Sequence, residues 1–283
     1  MVNHGSPKAE PGVRFPPSLP RSNKMKRFFL YFLLILFIVG LAMLAYGFWN
    51  AKNIRLWAAA ASDIKTRYDV PSEEKNVFDS LSALGGKNAQ EFSAGLHEFA
   101  SKLKIVSGDM DSAKREIEKF GTPRAAEPQK SELIDYYSQN GQQIDDLAKF
   151  VDFTIQNFEV AIIFDKMTPE TTIDEIKGMI NEAKSKSGDI NPAILPEEIR
   201  SAGFDLKTAA YNYLDALDQY AGGNVDDRSQ LDASYAEFSQ KENNFWDARK
   251  KLAIYSNMQR MNILDSKIDT DLLILKKVKF SIK

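Results

Sequence analysis

The chain has 283 residues, a net charge of −2 and no cysteine. Without thiols there are no disulfides, no thiolate metal sites and no thiol catalysis. The charge is uneven: residues 1–49 carry six basic side chains and one acidic, which leaves −7 for the remainder. With Lys276, Lys277, Lys279 and Lys283 set aside, residues 50–275 come to −11, a balance that argues against nucleic-acid binding.

Residues 1–27 hold five prolines and no apolar pattern, so a disordered cytoplasmic tail is expected. Pro16-Pro17-Ser18-Leu19-Pro20 could alternatively dock an aromatic groove. Residues 28–49, FFLYFLLILFIVGLAMLAYGFW, contain no charge. As a helix they measure roughly 33 Å, against about 30 Å of hydrocarbon core. This is the transmembrane helix. Lys24, Lys26 and Arg27 before it outweigh Lys52 and Arg55 after it, which predicts a cytoplasmic N-terminus and an extracytoplasmic body. Tyr46 and Trp49 at the far end, with Tyr31 at the near end, suit interfacial anchoring. An uncleaved anchor is expected; cleavage at Ala45-Tyr46-Gly47 is the rival reading. Gly40 and Gly47 share a helix face and are read as glycines tolerated in a membrane helix.

Residues 50–121 read as membrane-proximal helices. Ile54, Trp57, Ala61, Ile64 and Tyr68 follow heptad spacing up to Pro71. Ser72 is expected to cap a short helix through Val77, Phe78, Leu81 and Leu84, stopped at Gly85-Gly86. Asn88 with Glu91 resembles a capping box. From Phe92 through Leu96, Phe99, Leu103, Val106, Met110, Ala113 and Ile117 to Phe120, steps of four and three alternate without error. One helix is expected there, despite Gly108. Residues 122–130 form a Pro-containing linker, a candidate sub-domain boundary.

Residues 131–268 are expected to form the helical bundle. Between Ser131 and Asp165 one stripe runs Ile144, Leu147, Val151, Ile155, Phe158, Ile162, and a second carries Phe150, Phe153 and Phe164. Apolar residues on several faces mark a helix enclosed by neighbours. Alternatively Phe150, Phe153, Asn157 and Phe164 line an interhelical ligand pocket. Thr168-Pro169-Glu170 signals a helix start, and Gly188 the end of that short helix. A seam from Ile199 through Gly203, Leu206, Ala210, Tyr213 and Leu217 to Tyr220 closes at Gly222-Gly223. One long last helix is expected from Asp227 to about Ser266. Residues 269–283 form a basic C-terminal tail, expected to fray. Its alternation of Val278, Phe280 and Ile282 with lysines would also suit a sheet edge or an anionic membrane surface.

Catalytic chemistry finds little material. His97 is one of two histidines, and the residue three before it is Ala94, so the Glu-x-x-His pairs of a di-iron bundle are absent. Asp109 with Asp111, Asp145-Asp146 and Asp226-Asp227 do not continue as calcium loops. No phosphate-binding glycine motif occurs, so no enzyme activity, cofactor or metal site is expected. No asparagine lies in a glycosylation sequon, which together with the missing cysteines fits a prokaryotic envelope protein.

The expected fold is all-α: an N-terminal transmembrane helix, then an extended antiparallel helical bundle with coiled-coil-like heptad seams. The expected role is non-enzymatic protein–protein interaction or tethering, with a protein partner or a second copy of the chain. The alternative is a ligand-binding, sensor-like bundle. The layout of a basic N-terminus, one span and long helices beyond it resembles the first half of a chemoreceptor, an architectural likeness. Such receptors add a second span and a cytoplasmic signalling region, which this sequence does not contain, so a signal would pass through a partner.

Overall fold

A computed structural model describes residues 23–82, 89–168, 170–223 and 228–282. Among these there is no strand, and the fold is a helical bundle led by a long apolar helix. The Pro16–Pro20 segment, His4, Gly85-Gly86, Asn88, Pro169 and Asp226-Asp227 lie outside the described residues, as do the side chains of Lys24, Lys26, Arg27 and Phe78.

Helix α1 runs unbroken over Asn23–Arg67. Its two halves face different surroundings. By length and composition the helix is long and apolar enough to cross a membrane, and in its most apolar window only 6% of the residues are buried. Beyond that window Ala51, Ile54, Trp57, Ala58, Ala61 and Ile64 are all buried, which places the heptad-spaced residues in the bundle core. Helix α2 (Val70–Ser82) follows after a two-residue turn. Ser72 is not its cap. The Asp69 carboxylate takes that role, accepting from the Ser72 N–H at 3.4 Å, because Pro71 already sits in the first turn.

Helices α3 (Ala89–Lys119) and α4 (Glu127–Ile162) share the most extensive helix–helix contact in the molecule. From Leu96 to Ile117 every residue of the expected α3 seam is buried. Arg124–Ala126 make a single 3-10 turn and α4 begins at Glu127, so the Pro-containing stretch is the bend of a helical hairpin. One core lies on both sides of it. The two backbones approach closely at Gly141, where an added Cβ would lie 3.2 Å from the Met110 Cβ. The Ser107 hydroxyl donates to the Gly141 carbonyl there at 3.2 Å. Helix α4 buries Tyr136, Tyr137, Ile144, Leu147, Phe150 and Phe153 on more than one face, as expected of a central helix.

Helix α5 (Ile173–Asp189) starts four residues later than the Thr168-Pro169-Glu170 signal implied. Thr172 and Glu175 form a capping box that satisfies the free N–H groups at that point. Helices α6 (Glu197–Ala221) and α7 (Arg228–Ala248) pack against each other extensively. The expected long final helix is two helices. Leu252 is extended (ψ 135°) after a 3-10 turn at Arg249–Lys251, and α8 starts at Ala253. No Gly or Pro marks this break. It arises because α7 packs on α6 whereas α8 packs on α1 and α4, and Leu252 is buried at the joint.

Helix α8 continues to Lys276, into the segment assigned to the tail, with Ile268, Leu272 and Leu275 buried. The residues that follow are not frayed. The Ser281 N–H donates to the Gly47 carbonyl at 3.1 Å, and the Asn50 amide donates to the Ser281 carbonyl at 3.3 Å. The Phe280 ring meets Phe48 edge to face, with centroids 5.5 Å apart. A Cβ on Gly47 would come within 2.1 Å of the Phe280 ring, so this glycine opens the notch that admits it.

Candidate functional site

Two concave regions contain the residues singled out from the sequence. The first is an open hollow of about 1250 Å³ beside the upper part of α1. Tyr46 and Trp49 line it, together with Trp57, Phe120, Pro123 and Ile282. Both predicted anchor residues are exposed, with ring centroids 6.2 Å apart. They reach the surroundings at the level where α1 changes from apolar to core-packed.

The second is a cavity of about 460 Å³ enclosed by the last turns of α4 and by α5, α6 and α7. It is built from the second aromatic stripe of α4 and the inner face of α6. Asn157 and Phe164 line it directly. Phe150 and Phe153 stand one layer behind. Phe150 stacks on Phe245 at 5.3 Å and meets Trp246 edge to face at 5.8 Å, while Phe153 contacts Phe245 at 5.0 Å. Phe245 and Trp246 in turn form part of the lining. The two α4 rings therefore set the position of the wall rather than its surface.

Further lining comes from Leu206 and Tyr213, which the sequence reading placed on the α6 stripe without assigning them to a site, and from Leu214 and Phe238. Tyr213 stacks on Phe238 at 5.9 Å. Burial, with the Tyr235 phenol beside it, raises the pKa of Tyr213, so it stays neutral. The Lys184 ammonium clamps α5 to α6 by reaching Asp215 at 2.6 Å and Asp218 at 2.8 Å. Burial works against its charge, but the two carboxylates outweigh that and hold its pKa above the ordinary value.

Polar groups are few. The Asn157 amide donates to the Phe153 carbonyl at 2.8 Å, and Glu242 stands on the exposed side. Ser187 is fully buried and its hydroxyl has no hydrogen-bond partner. An unpaired buried hydroxyl costs about 1–3 kcal/mol. Ser187→Ala is therefore expected to raise stability by about 1 kcal/mol in thermal melts of the ligand-free protein. A loss of stability would mean that the hydroxyl is satisfied.

His97 lies on an exposed face of α3, with its Nε2 3.2 Å from Glu159 of α4. Among the described residues, no three His, Asp or Glu side chains gather as a metal group would require. With its mainly aromatic and aliphatic lining, the cavity suits an apolar molecule. Compared with protein-family models, curated proteins and solved structures, the chain matches none.

Proposed function

We propose that this protein is a single-pass, membrane-anchored helical bundle that acts without catalysis, in protein–protein interaction or tethering at the cell envelope. One observation carries the reading: α1 is a single 45-residue helix whose apolar half is exposed and whose other half packs one face into the core. A soluble core helix of such hydropathy would be enclosed on all sides, and this one is not. The bundle is joined to its anchor without a flexible joint. Such a device holds a partner at a set height and orientation above the bilayer. The positive charge before the span supports an N-terminus inside and a body outside. Extraction in mild detergent, followed by light scattering and mass spectrometry of the eluted peak, tests this. A defined oligomer or a stoichiometric companion is expected, and a lone monomer would refute stable tethering.

A second reading, a ligand-binding bundle that signals through a partner, is favoured by the cavity between α4 and α7. Its aromatic and aliphatic lining suits an apolar molecule or a single acyl chain. Ala210 lines the cavity, so Ala210→Phe would fill it. Uptake of a fluorescent apolar probe by the intact protein, lost in that variant, is the expected result. No uptake by the unmodified protein would dismiss this reading.

A further inference from the structure

We infer that the returning C-terminal tail, docked on α1 at Gly47, forms a basic collar that binds the headgroups of anionic lipids where α1 leaves the bilayer. The inference rests on α1 spanning the membrane, and adds a second, peripheral contact with it.

Position comes first. Gly47 and Phe48 belong to the uncharged run of α1, close to its end. The Ser281 N–H on the Gly47 carbonyl and the Phe280 ring in the Gly47 notch fix the tail at that level. The approach is set further back by α8, which packs along α1. Lys65 of α1 pairs with Asp265 and Asp269 of α8, whereas Gly47 meets Ser281, so the two segments run antiparallel. The end of α8 is thereby directed at the membrane surface.

Chemistry follows from position. Lys276, Lys277 and Lys279 are exposed, and among the described residues none of them pairs with a carboxylate. Beside them Leu273, Ile274, Phe280 and Ile282 are exposed, Ile282 by 67%. Exposed apolar side chains are costly in water, and with cations beside them they suit the headgroup region of an anionic bilayer. The contrast with the rest of the body is sharp, since residues 50–275 carry −11. The body as a whole is repelled by an anionic surface; the part that returns to the bilayer is attracted. Lys52 and Arg55, on the neighbouring turns of α1, have the same sign.

The absence of native cysteine allows a clean test in the full-length protein. A spin label on Ile282→Cys, in phosphatidylcholine bilayers with and without phosphatidylglycerol, reports contact with lipid through its accessibility to oxygen and to a water-soluble nickel chelate. Lipid contact is expected to rise when phosphatidylglycerol is present and to fall again at high salt. Each lysine biases the docked state about fivefold near an anionic surface, so the Lys276→Gln, Lys277→Gln, Lys279→Gln variant should lose at least about tenfold of that bias. Gly47→Leu should release the label in every lipid by filling the Phe280 notch. Equal accessibility with and without the anionic lipid, or a lipid response that survives the triple replacement, would overturn the inference. So would an unchanged label in Gly47→Leu. A second label at Leu36→Cys separates the two failures. If it is reached by the nickel chelate, the span itself is wrong; if it is protected while Ile282→Cys ignores lipid charge, only the collar is wrong.

Discussion

Phe153→Ala is expected to cost about 3–5 kcal/mol, the range for truncating a fully buried aromatic side chain. Phe153 is completely buried on α4 and contacts Phe245 of α7 at 5.0 Å. It also faces Gly203 of α6, where an added Cβ would stand 3.5 Å from its ring. One side chain thus joins three helices around the cavity wall. Its loss leaves a hole beside a cavity that already exists, so the neighbours have little support for collapse. In a domain of this size the shift in melting temperature is roughly 6–20 °C. Circular dichroism melts of the protein in detergent would measure it. Ile105→Ala, at a position 64% exposed on α3, is the control. It should change stability by less than about 0.5 kcal/mol. If both variants melt alike, α7 is not packed on α4 as described.

The second large effect is expected at Lys65. Its ammonium lies 2.8 Å from both Asp265 and Asp269, with side-chain exposures of 12% for Lys65 and 17% for Asp265. The Tyr136 hydroxyl donates to the same Asp265 carboxylate at 2.6 Å. This group ties α8 to α1 and α4. Lys65→Met strands a largely buried carboxylate and should cost about 3 kcal/mol. Adding Asp265→Asn should recover most of that, because the carboxylate then left without its lysine, Asp269, is 60% exposed and solvated, and the Tyr136 hydroxyl keeps its acceptor. A cost below about 1 kcal/mol would mean that the pair is solvated and contributes like a surface bridge.

The pH dependence has a definite sign. Burial disfavours the Lys65 charge, but hydrogen bonds to the two carboxylates prevail and raise its pKa above 10.5. A raised lysine pKa adds stability that is fully present below 10.5 and is lost as pH rises through the folded value. The unmodified protein should therefore lose melting temperature at high pH by more than Lys65→Met does. The same arithmetic runs the other way at Glu116, whose pKa is lowered by hydrogen bonds from Arg67 and Tyr68. Its contribution is present above 4.5 and is lost as pH falls through the lowered value.

Much of the architecture was legible in one dimension because it follows from local periodicity. The uncharged run of α1, the seam of α3 from Leu96 to Ile117 and the many-faced burial of α4 each follow from the spacing of apolar residues, which a helix converts directly into a face. The candidate cavity was legible in part. Phe164, from the second stripe and in the 3-10 turn that follows α4, and Asn157 beside that stripe mark it, but Ser187, Leu206 and Tyr213 reach it from other helices. No spacing along the chain encodes which stripes will face each other.

What the sequence by itself determined is the all-α content, the long apolar N-terminal helix with its basic flank, and the inward faces of the longest helices. Their physical source is the fixed 3.6-residue turn and the hydropathy of side chains. Tertiary structure alone decided the break at Leu252, where no residue interrupts a helix and only the divergence of packing partners does. It also decided the fate of the tail. Phe280 and Ser281 find Gly47 across more than 230 intervening positions, and their hydrogen bonds and ring contact exist only because α8 packs along α1 and returns the chain to the apolar helix.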